Sequence, residues 1–349
     1  MSSVSSIRQQ LIAVQHRASL GAFTLDVDVG IPAQGVTGVF GESGSGKTTL
    51  LRCIAGLETG SGTDSRPPHQ RGVGYVFQEP QLFPHLSVEG NIDYGRRRAG
   101  ADGLDKDHVV EMLGIGSLLS RKPAGLSGGE AQRVAIAAVL LRAPELVLMD
   151  EPLASLDQQR KDELLPYLDR LHDELSMPII YVSHSIDEIC RLCDHLLVID
   201  DGSIVADGEL HAILARLDVP VLAGRSAGSV IDARPERYDE GYDLTLFRFS
   251  GGELLVPGHY EAGAPRLRLR IAASDVSICR TRPQQTTILN VLPATIDEIQ
   301  PTGPATDLVR LAMGSDYLIA QVTRRSVTNL DLKQGDNVFA QVKSVTVRH

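Results

Sequence analysis

Eight residues, Gly41-Glu-Ser-Gly-Ser-Gly46-Lys47-Thr48, restrict the fold of this chain more than any other stretch. They match the pattern G-x-x-x-x-G-K-[ST] and lie between an apolar run, VTGVF (36–40), and a helical pattern that starts near Lys47. A loop of this kind works only as the bend of a strand–loop–helix unit. Its glycines let it fold back so that successive backbone N–H groups point inward at phosphate oxygens. The first turn of the helix adds a partial positive charge. Lys47 is then placed to span the β- and γ-phosphates of a nucleotide, and Thr48 to offer a hydroxyl to Mg2+. A merely flexible glycine turn would not need strand, helix, Lys and Thr all in register.

The rest of the first 210 residues suits such a unit. The runs VGYVF (73–77), LVLM (146–149), IIYVS (179–183) and HLLVID (195–200) are continuous and rich in β-branched residues, as expected of parallel strands covered on both faces. Helical patterns lie between several of them, which predicts a doubly wound α/β domain. After Pro220 the character changes. Residues 221–240 are polar and read as a linker, and beyond them short alternating segments separated by Gly, Pro and Asp predict a small β-barrel or sandwich. The expected division is an α/β domain over 1–225, a linker and β-rich segment over 226–285, and a β module over 286–349.

Composition narrows the class of function. The longest uninterrupted apolar stretch, Val134–Leu141, is far short of the ~18 to 20 residues that span a bilayer. The start, MSSVSSIRQQ, lacks the apolar core of a signal peptide. The chain is therefore expected in the cytosol, with any membrane work done through a partner. A net charge of −10 argues against non-specific nucleic-acid binding, which needs a basic face. Cys190 and Cys193 have metal or redox spacing, but no second pair completes a zinc site. They read as buried thiols on an amphipathic helix.

Further polar residues stand at strand ends. Asp150 and Glu151 close LVLM; paired acids there are costly unless a cation or a proton transfer needs them. Asp150 is expected to hold Mg2+ and Glu151 to polarise an attacking water as general base. Gln78 ends VGYVFQ and His184 ends IIYVSH, where side chains point into the crevice that binds ligands in parallel sheets. Gln78 is placed to touch Mg2+ and the water, and His184 the γ-phosphate. A second phosphate receptor is implied at Leu126-Ser127-Gly128-Gly129-Glu130. Ser127 and Glu130 make a capping box, but that leaves the glycines unexplained, since each costs a helix up to ~1 kcal/mol relative to alanine. Glycine there suits close approach by another group. Two phosphate-binding helix ends for one nucleotide are reconciled if ATP lies between the loop of one copy and the Ser-Gly-Gly segment of another, with Ala154-Ser155-Leu156-Asp157 lining the junction.

In this order the motifs resemble those of ABC-transporter nucleotide-binding subunits: Walker A 41–48, Q-loop Gln78, signature 126–130, Walker B 146–151, D-loop 154–157 and H-loop His184. The resemblance implies a P-loop NTPase fold and a head-to-tail dimer sandwiching two ATP. It implies ATP contacts from Gly41, Glu42, Ser43, Gly44, Ser45, Gly46, Lys47, Thr48 and Thr49, with Ser127, Gly128, Gly129 and Glu130 acting in trans. It also implies Mg2+ at Thr48, Gln78 and Asp150, catalysis by Glu151, His184 and Gln78, and Asp157 at the dimer interface. Two features depart from the family. Gln78 follows Lys47 by only 31 positions, so the hairpin usual in that segment is expected to be reduced. No obvious aromatic stands where adenine is stacked; Phe23, with His16 behind it, is the candidate.

The segments RGVGYVFQEPQLFPHLSVEGNIDYG, MDEPLASLDQQRKDELLPYLDRL, YVSHSIDEI, AASDVSICRTRPQQTTILNVL and AQVKSVTV are similar to the ATP-binding subunit of molybdate importers, the ModC group. The last two fall in its C-terminal Mop (TOBE) module, a small OB-like all-β domain. The resemblance implies permease subunits, a periplasmic or extracellular molybdate-binding protein acting indirectly, no nucleic acid, and a peripheral place on the cytoplasmic face of the bacterial inner membrane. It also implies a molybdate or tungstate site in the module at Thr286, Thr287, Asn290, Lys343 and Ser344. Leu289 stands where the module usually carries a basic residue, and the alternative is that the module only mediates dimer contacts. Other readings are an importer ATPase for sulfate, sugar or polyamine, and a soluble ABC ATPase acting on nucleic acid or ribosomes.

Overall fold

Continuous apolar strands set the first half of the architecture. A computed structural model describes residues 11–58, 60–62, 64–97, 104–175, 177–223, 227–264 and 266–348; the N-terminal segment read as lacking a signal peptide lies outside them. The chain divides into two compact units, Met1–Gly208 and Glu209–His349.

The first unit is built on strands β1 (Leu11–Leu20), β2 (Phe23–Pro32), β3 (Val36–Phe40), β4 (Ser61–Gly62), β5 (Val73–Val76), β6 (Leu146–Asp150), β7 (Ile179–Val182), β8 (His195–Asp200) and β9 (Ser203–Glu209). Its helices are α1 (Lys47–Ala55), α2 (Val88–Arg96), α3 (Lys106–Met112), α4 (Gly128–Leu140), α5 (Gln158–Glu174) and α6 (Ile186–Leu192). The strands form one sheet in the order β4-β1-β2-β9-β8-β3-β7-β6-β5. From β8 to β5 the pairing is parallel. Every residue of β3, β6 and β7 is buried, the expected result for strands covered on both faces. By contrast, β1 and β2 pair antiparallel over their whole length, and β1 alternates buried and exposed. Gly21, at φ +64°, makes the turn between them. The short segment after α1 is reduced to the two-residue β4, which pairs with His16 and Arg17 of β1.

The order β3-β7-β6-β5 places four carboxyl ends side by side. Out of them emerge the loop 41–46, His184, the Asp150–Glu151 pair and Gln78, so residues far apart in sequence meet at one edge of the sheet.

The second unit opens with α7 (Leu210–Leu214) and continues through β10 (Gly228–Asp239), β11 (Leu244–Phe249), β12 (Gly252–Pro257), β13 (Leu267–Ala272), β14 (Val276–Cys279), β15 (Asn290–Pro301), β16 (Thr306–Met313), β17 (Asp316–Thr323), α8 (Arg324–Asn329), β18 (Asn337–Val342) and β19 (Thr346–Arg348). Two five-stranded sheets result, β12-β11-β10-β13-β19 and β14-β18-β15-β16-β17, with every pairing antiparallel. One core joins them, with Phe247, Leu269, Leu311 and Ala340 fully buried in it.

Two expectations are corrected here. The division falls at Gly208 rather than at 225, because α7 buries Leu210, Ile213 and Leu214 and packs on β10, while Leu217 joins Ala273, Leu308 and Ile319 in a second cluster. The polar stretch 221–240 is not a free linker. Its residues 228–239 are the long strand β10, whose first four positions are buried and which pairs with both β11 and β13. The segments 226–285 and 286–349 also interleave, since β19 pairs with β13 and β18 with β14.

Phe247 is fully buried where the two sheets meet. Phe247→Ala is expected to destabilise the second unit by about 3–5 kcal/mol, measured by denaturant unfolding of the full chain followed by circular dichroism.

Candidate ATP site

Gly46 shows why the phosphate loop has this sequence. Its φ is +108°, and a Cβ there would stand 2.7 Å from the Phe23 ring. Gly44 is also left-handed, and a Cβ on Gly41 would collide with the Ile199 carbonyl. The loop therefore turns tightly, tied by Ser45 N–H donating to the Glu42 carbonyl at 3.2 Å. Gly46 is also the N-cap of α1 and supplies no side-chain cap, whereas α2 to α6 are capped by Ser87, Asp105, Ser127, Asp157 and Ser185. The first amides of α1 thus face outward without a side-chain acceptor, as a phosphate cradle requires. Ser45 Oγ is buried there with no partner among the described residues.

Charged groups converge on this loop. Lys47 is 5% exposed, and its Nζ donates to the Gly41 carbonyl at 2.9 Å and the Glu42 carbonyl at 2.7 Å. Burial lowers its pKa, and the carboxylates of Glu151 and Asp150 oppose that shift. Asp150, 7% exposed, accepts from Thr48 Oγ1 at 2.9 Å and from the Tyr75 hydroxyl at 2.8 Å. Burial and the Asp150 charge push the Tyr75 phenol far above its ordinary range, so it remains a donor. A hydroxyl and a carboxylate at contact distance form an oxygen-only set that suits a hard divalent cation, so the residues fit Mg2+.

Glu151 follows at φ +46°, a left-handed conformation that is strained for a residue with a side chain. Its Oε2 lies 3.1 Å from His184 Nδ1. A carboxylate only accepts, so Nδ1 carries a proton in this contact. Gln78 is exposed two residues beyond β5, and Thr49 lies half-buried in the first turn of α1. Phe23, half-buried at the start of β2, lies against Gly46, so an aromatic ring does border the loop. His16 is buried on β1 opposite Gly62, with its pKa lowered by burial and by Arg71.

The signature segment forms a second helix end. Ser127 Oγ accepts from Glu130 N–H at 3.3 Å, and Glu130 Oε2 accepts from Ser127 N–H at 2.7 Å, which holds the Glu130 carboxyl below its usual range. A Cβ on Gly128 would meet Leu156 of the segment 154–157 at 3.1 Å, so signature and D-loop abut. A Cβ on Gly129 would meet nothing within 4 Å. Nothing among the described residues requires a glycine there. Asp157 is exposed and caps α5 by accepting from Arg160 N–H at 3.0 Å.

Sequence reasoning missed two participants. Tyr75, concealed in an apolar strand run, holds Asp150; a lone hydroxyl on the strand beside the acid pair was the available signal. Gln132 is 1% exposed on α4 and donates from Nε2 to the Phe77 carbonyl at 3.3 Å, tying the signature helix to the backbone just before Gln78. A polar residue on the apolar face of a helix was its signal. Cys190 and Cys193 are both buried.

Comparison with known proteins is decisive about kinship. Residues 25–154 match the family described as ABC transporter, and residues 286–348 match the TOBE domain. The Molybdenum import ATP-binding protein ModC 1 of Azotobacter vinelandii is 48% identical over 354 residues, covering 96% of this chain and 98% of that protein. ModC of Thiobacillus denitrificans is 48% identical over 361 residues, 99% of each chain, and that of Methylococcus capsulatus 48% over 340 residues, 93% of this chain and 96% of that protein. The chain belongs to the ModC family of ABC transporter ATP-binding proteins. As a member of that family it is an ATPase, with a TOBE domain following the ABC unit.

In that TOBE domain the five residues expected around an oxyanion lie in different settings. Thr286 is exposed, and its Oγ1 accepts from Ile288 N–H at 3.1 Å and from Gln341 Nε2 at 3.4 Å, which brings it to the end of β18. Lys343 and Ser344, just beyond that strand, are exposed, as is Thr287. Asn290 is diverted. Its Oδ1 accepts from Leu255 N–H at 2.7 Å and its Nδ2 donates to the Leu255 carbonyl at 2.9 Å, so it continues the hydrogen bonding of β12. Leu289, at the position usually basic, is 63% exposed.

Gly46→Ala is expected to weaken ATP binding about tenfold, because left-handed backbone costs a side-chain-bearing residue roughly 1–2 kcal/mol. Nucleotide titration checks this; unchanged affinity would show that the loop tolerates another shape.

Proposed function

We propose that this chain is the ATP-hydrolysing subunit of a molybdate importer and that each of its ATP sites is completed by a second copy. The observation that carries the composite site is Gly129, a helix-weakening residue with open space around it at a capped helix N-terminus. A partner's nucleotide approaching those amides gives the glycine its reason. Asp157, exposed beside the same helix end, lines the junction between copies.

The chemistry follows from the charges already in place. The loop amides and Lys47 hold the β- and γ-phosphates, with Phe23 against the base. Thr48 and Asp150, with Gln78 at the rim, would hold Mg2+, which would supply neutralisation of phosphate charge. Glu151 takes a proton from the attacking water as the water oxygen bonds to the γ-phosphorus and ADP departs. His184, held by Glu151 through Nδ1, would reach the phosphoryl group and its water.

Partners follow from the same reading. No helix among the described residues is long and apolar enough to cross a membrane. Permease subunits provide the path, with an external molybdate-binding protein delivering the ion, and this chain works at the cytoplasmic face of the inner membrane. Thr286, Thr287, Lys343 and Ser344 border the TOBE surface that would receive molybdate or tungstate; Asn290 supports it through β12.

Ser127→Arg and Glu151→Gln are each expected to abolish turnover while leaving ATP binding intact. Mixing the two variants is expected to restore ATPase activity, because the mixed dimer holds one site with Glu151 from one copy and Ser127 from the other. A mixture as inactive as its components would overturn the composite site. For the solute, deletion of the chain is expected to abolish molybdoenzyme activity and excess molybdate to restore it; full activity in the deletion strain at trace molybdate would overturn the molybdate reading.

A further inference from the structure

A buried polar chain behind His184 has no part in the chemistry described so far. Lys161, on the first turn of α5, donates from Nζ to Glu188 Oε1 at 2.9 Å. Glu188 is on α6 and 6% exposed. Its other oxygen, Oε2, accepts from Ser183 Oγ at 2.7 Å and from the Tyr181 hydroxyl at 3.0 Å. Ser183 Oγ in turn accepts from Ser185 N–H at 3.0 Å. The residues on both sides of His184 are thus anchored on one carboxylate. Burial, reinforced by the Glu188 charge, pushes the Tyr181 phenol well above its ordinary range, so it stays a donor. A carboxylate this deep is unfavourable without a cation. Lys161, itself only 17% exposed, supplies it.

Both ends of this chain reach functional groups. At one end, Lys161 N–H donates to the Asp157 carbonyl at 3.0 Å, so it sits one helical turn from the exposed residue that caps α5 beside the signature. At the other, His184 faces Glu151 at 3.1 Å. Displacing the start of α5 would pull on Lys161, and through Glu188 on the backbone that carries His184.

We propose that the Lys161–Glu188 pair is a positioning link by which the Asp157 end of α5 holds His184 in register with Glu151. This rests on the reading of Glu151 and His184 as the hydrolytic pair. Neither Lys161 nor Glu188 touches the reacting atoms. Their effect is on rate through geometry, where small displacements are costly. A pair that only packs α5 against α6 would lower stability and leave the rate of the folded enzyme unchanged.

The test uses the full chain in its assembled transporter. Lys161→Met is expected to lower kcat about tenfold or more with KM for ATP unchanged, and Lys161→Arg to restore most of it. Glu188→Gln, nearly isosteric, is expected to show the same loss in kcat alone, and it stands in if Lys161→Met does not fold. In a His184→Ala background, Lys161→Met is expected to add nothing, because the residue it positions is gone. A folded Lys161→Met or Glu188→Gln enzyme with parental kcat would overturn the link, as would a loss that simply multiplies with that of His184→Ala. Parental activity in His184→Ala alone would overturn the hydrolytic reading instead, so the two failures are distinguishable.

Discussion

Lys47 and Asp150 are buried within a few residues of three strand ends, and the first unit is organised around giving both their partners. Neither is tolerable alone in an apolar interior. Lys47 is held by two loop carbonyls, Asp150 by two hydroxyls, and the carboxylates of Asp150 and Glu151 favour the ammonium form of Lys47. This balance requires β3 and β6 to end at the same level, which their common pairing with β7 enforces. A parallel sheet achieves it because every strand delivers its carboxyl end to the same edge.

The two helix ends proposed to receive phosphate use opposite devices. α1 begins at a left-handed glycine with no side-chain cap, leaving its amides to the ligand. α4 begins with a full capping box, so its end is rigid before anything binds, and only the glycines leave its surface bare. A loop that wraps a ligand needs free donors, whereas a surface that meets a partner's nucleotide needs a fixed shape. Gly128 against Leu156, and Gln132 on the Phe77 carbonyl, tie that surface to the D-loop and the Q-loop within the same chain.

In the second unit two buried amide side chains have structural duties. Asn290 acts as an extra peptide group for β12, and Gln341 bridges Thr286 to Ser277 and Cys279 through hydrogen bonds of 3.4, 3.4 and 3.1 Å. The exposed Leu289, between Thr287 and Asn290, puts an apolar side chain where a cation would favour an anion. Thr286, Lys343 and Ser344 are exposed near the end of β18.

What the sequence determined by itself is whatever depends on neighbours along the chain. The phosphate loop, the buried strand runs, the capping box and the acids at a strand end were all legible, because dihedral preference, side-chain period and helix capping are local. The tertiary structure alone decided which strand lies beside which, and hence that Tyr75 reaches Asp150 and that one carboxylate on α6 anchors the backbone around His184. It also decided that β10 is a strand within two pairings, despite its polar sequence, and that β19 returns to β13. The pairings of β10 with β13 and of β13 with β19 join residues tens of positions apart, and their energy comes from shared burial and cross-strand hydrogen bonds. Neither has a signature within any single window of the chain.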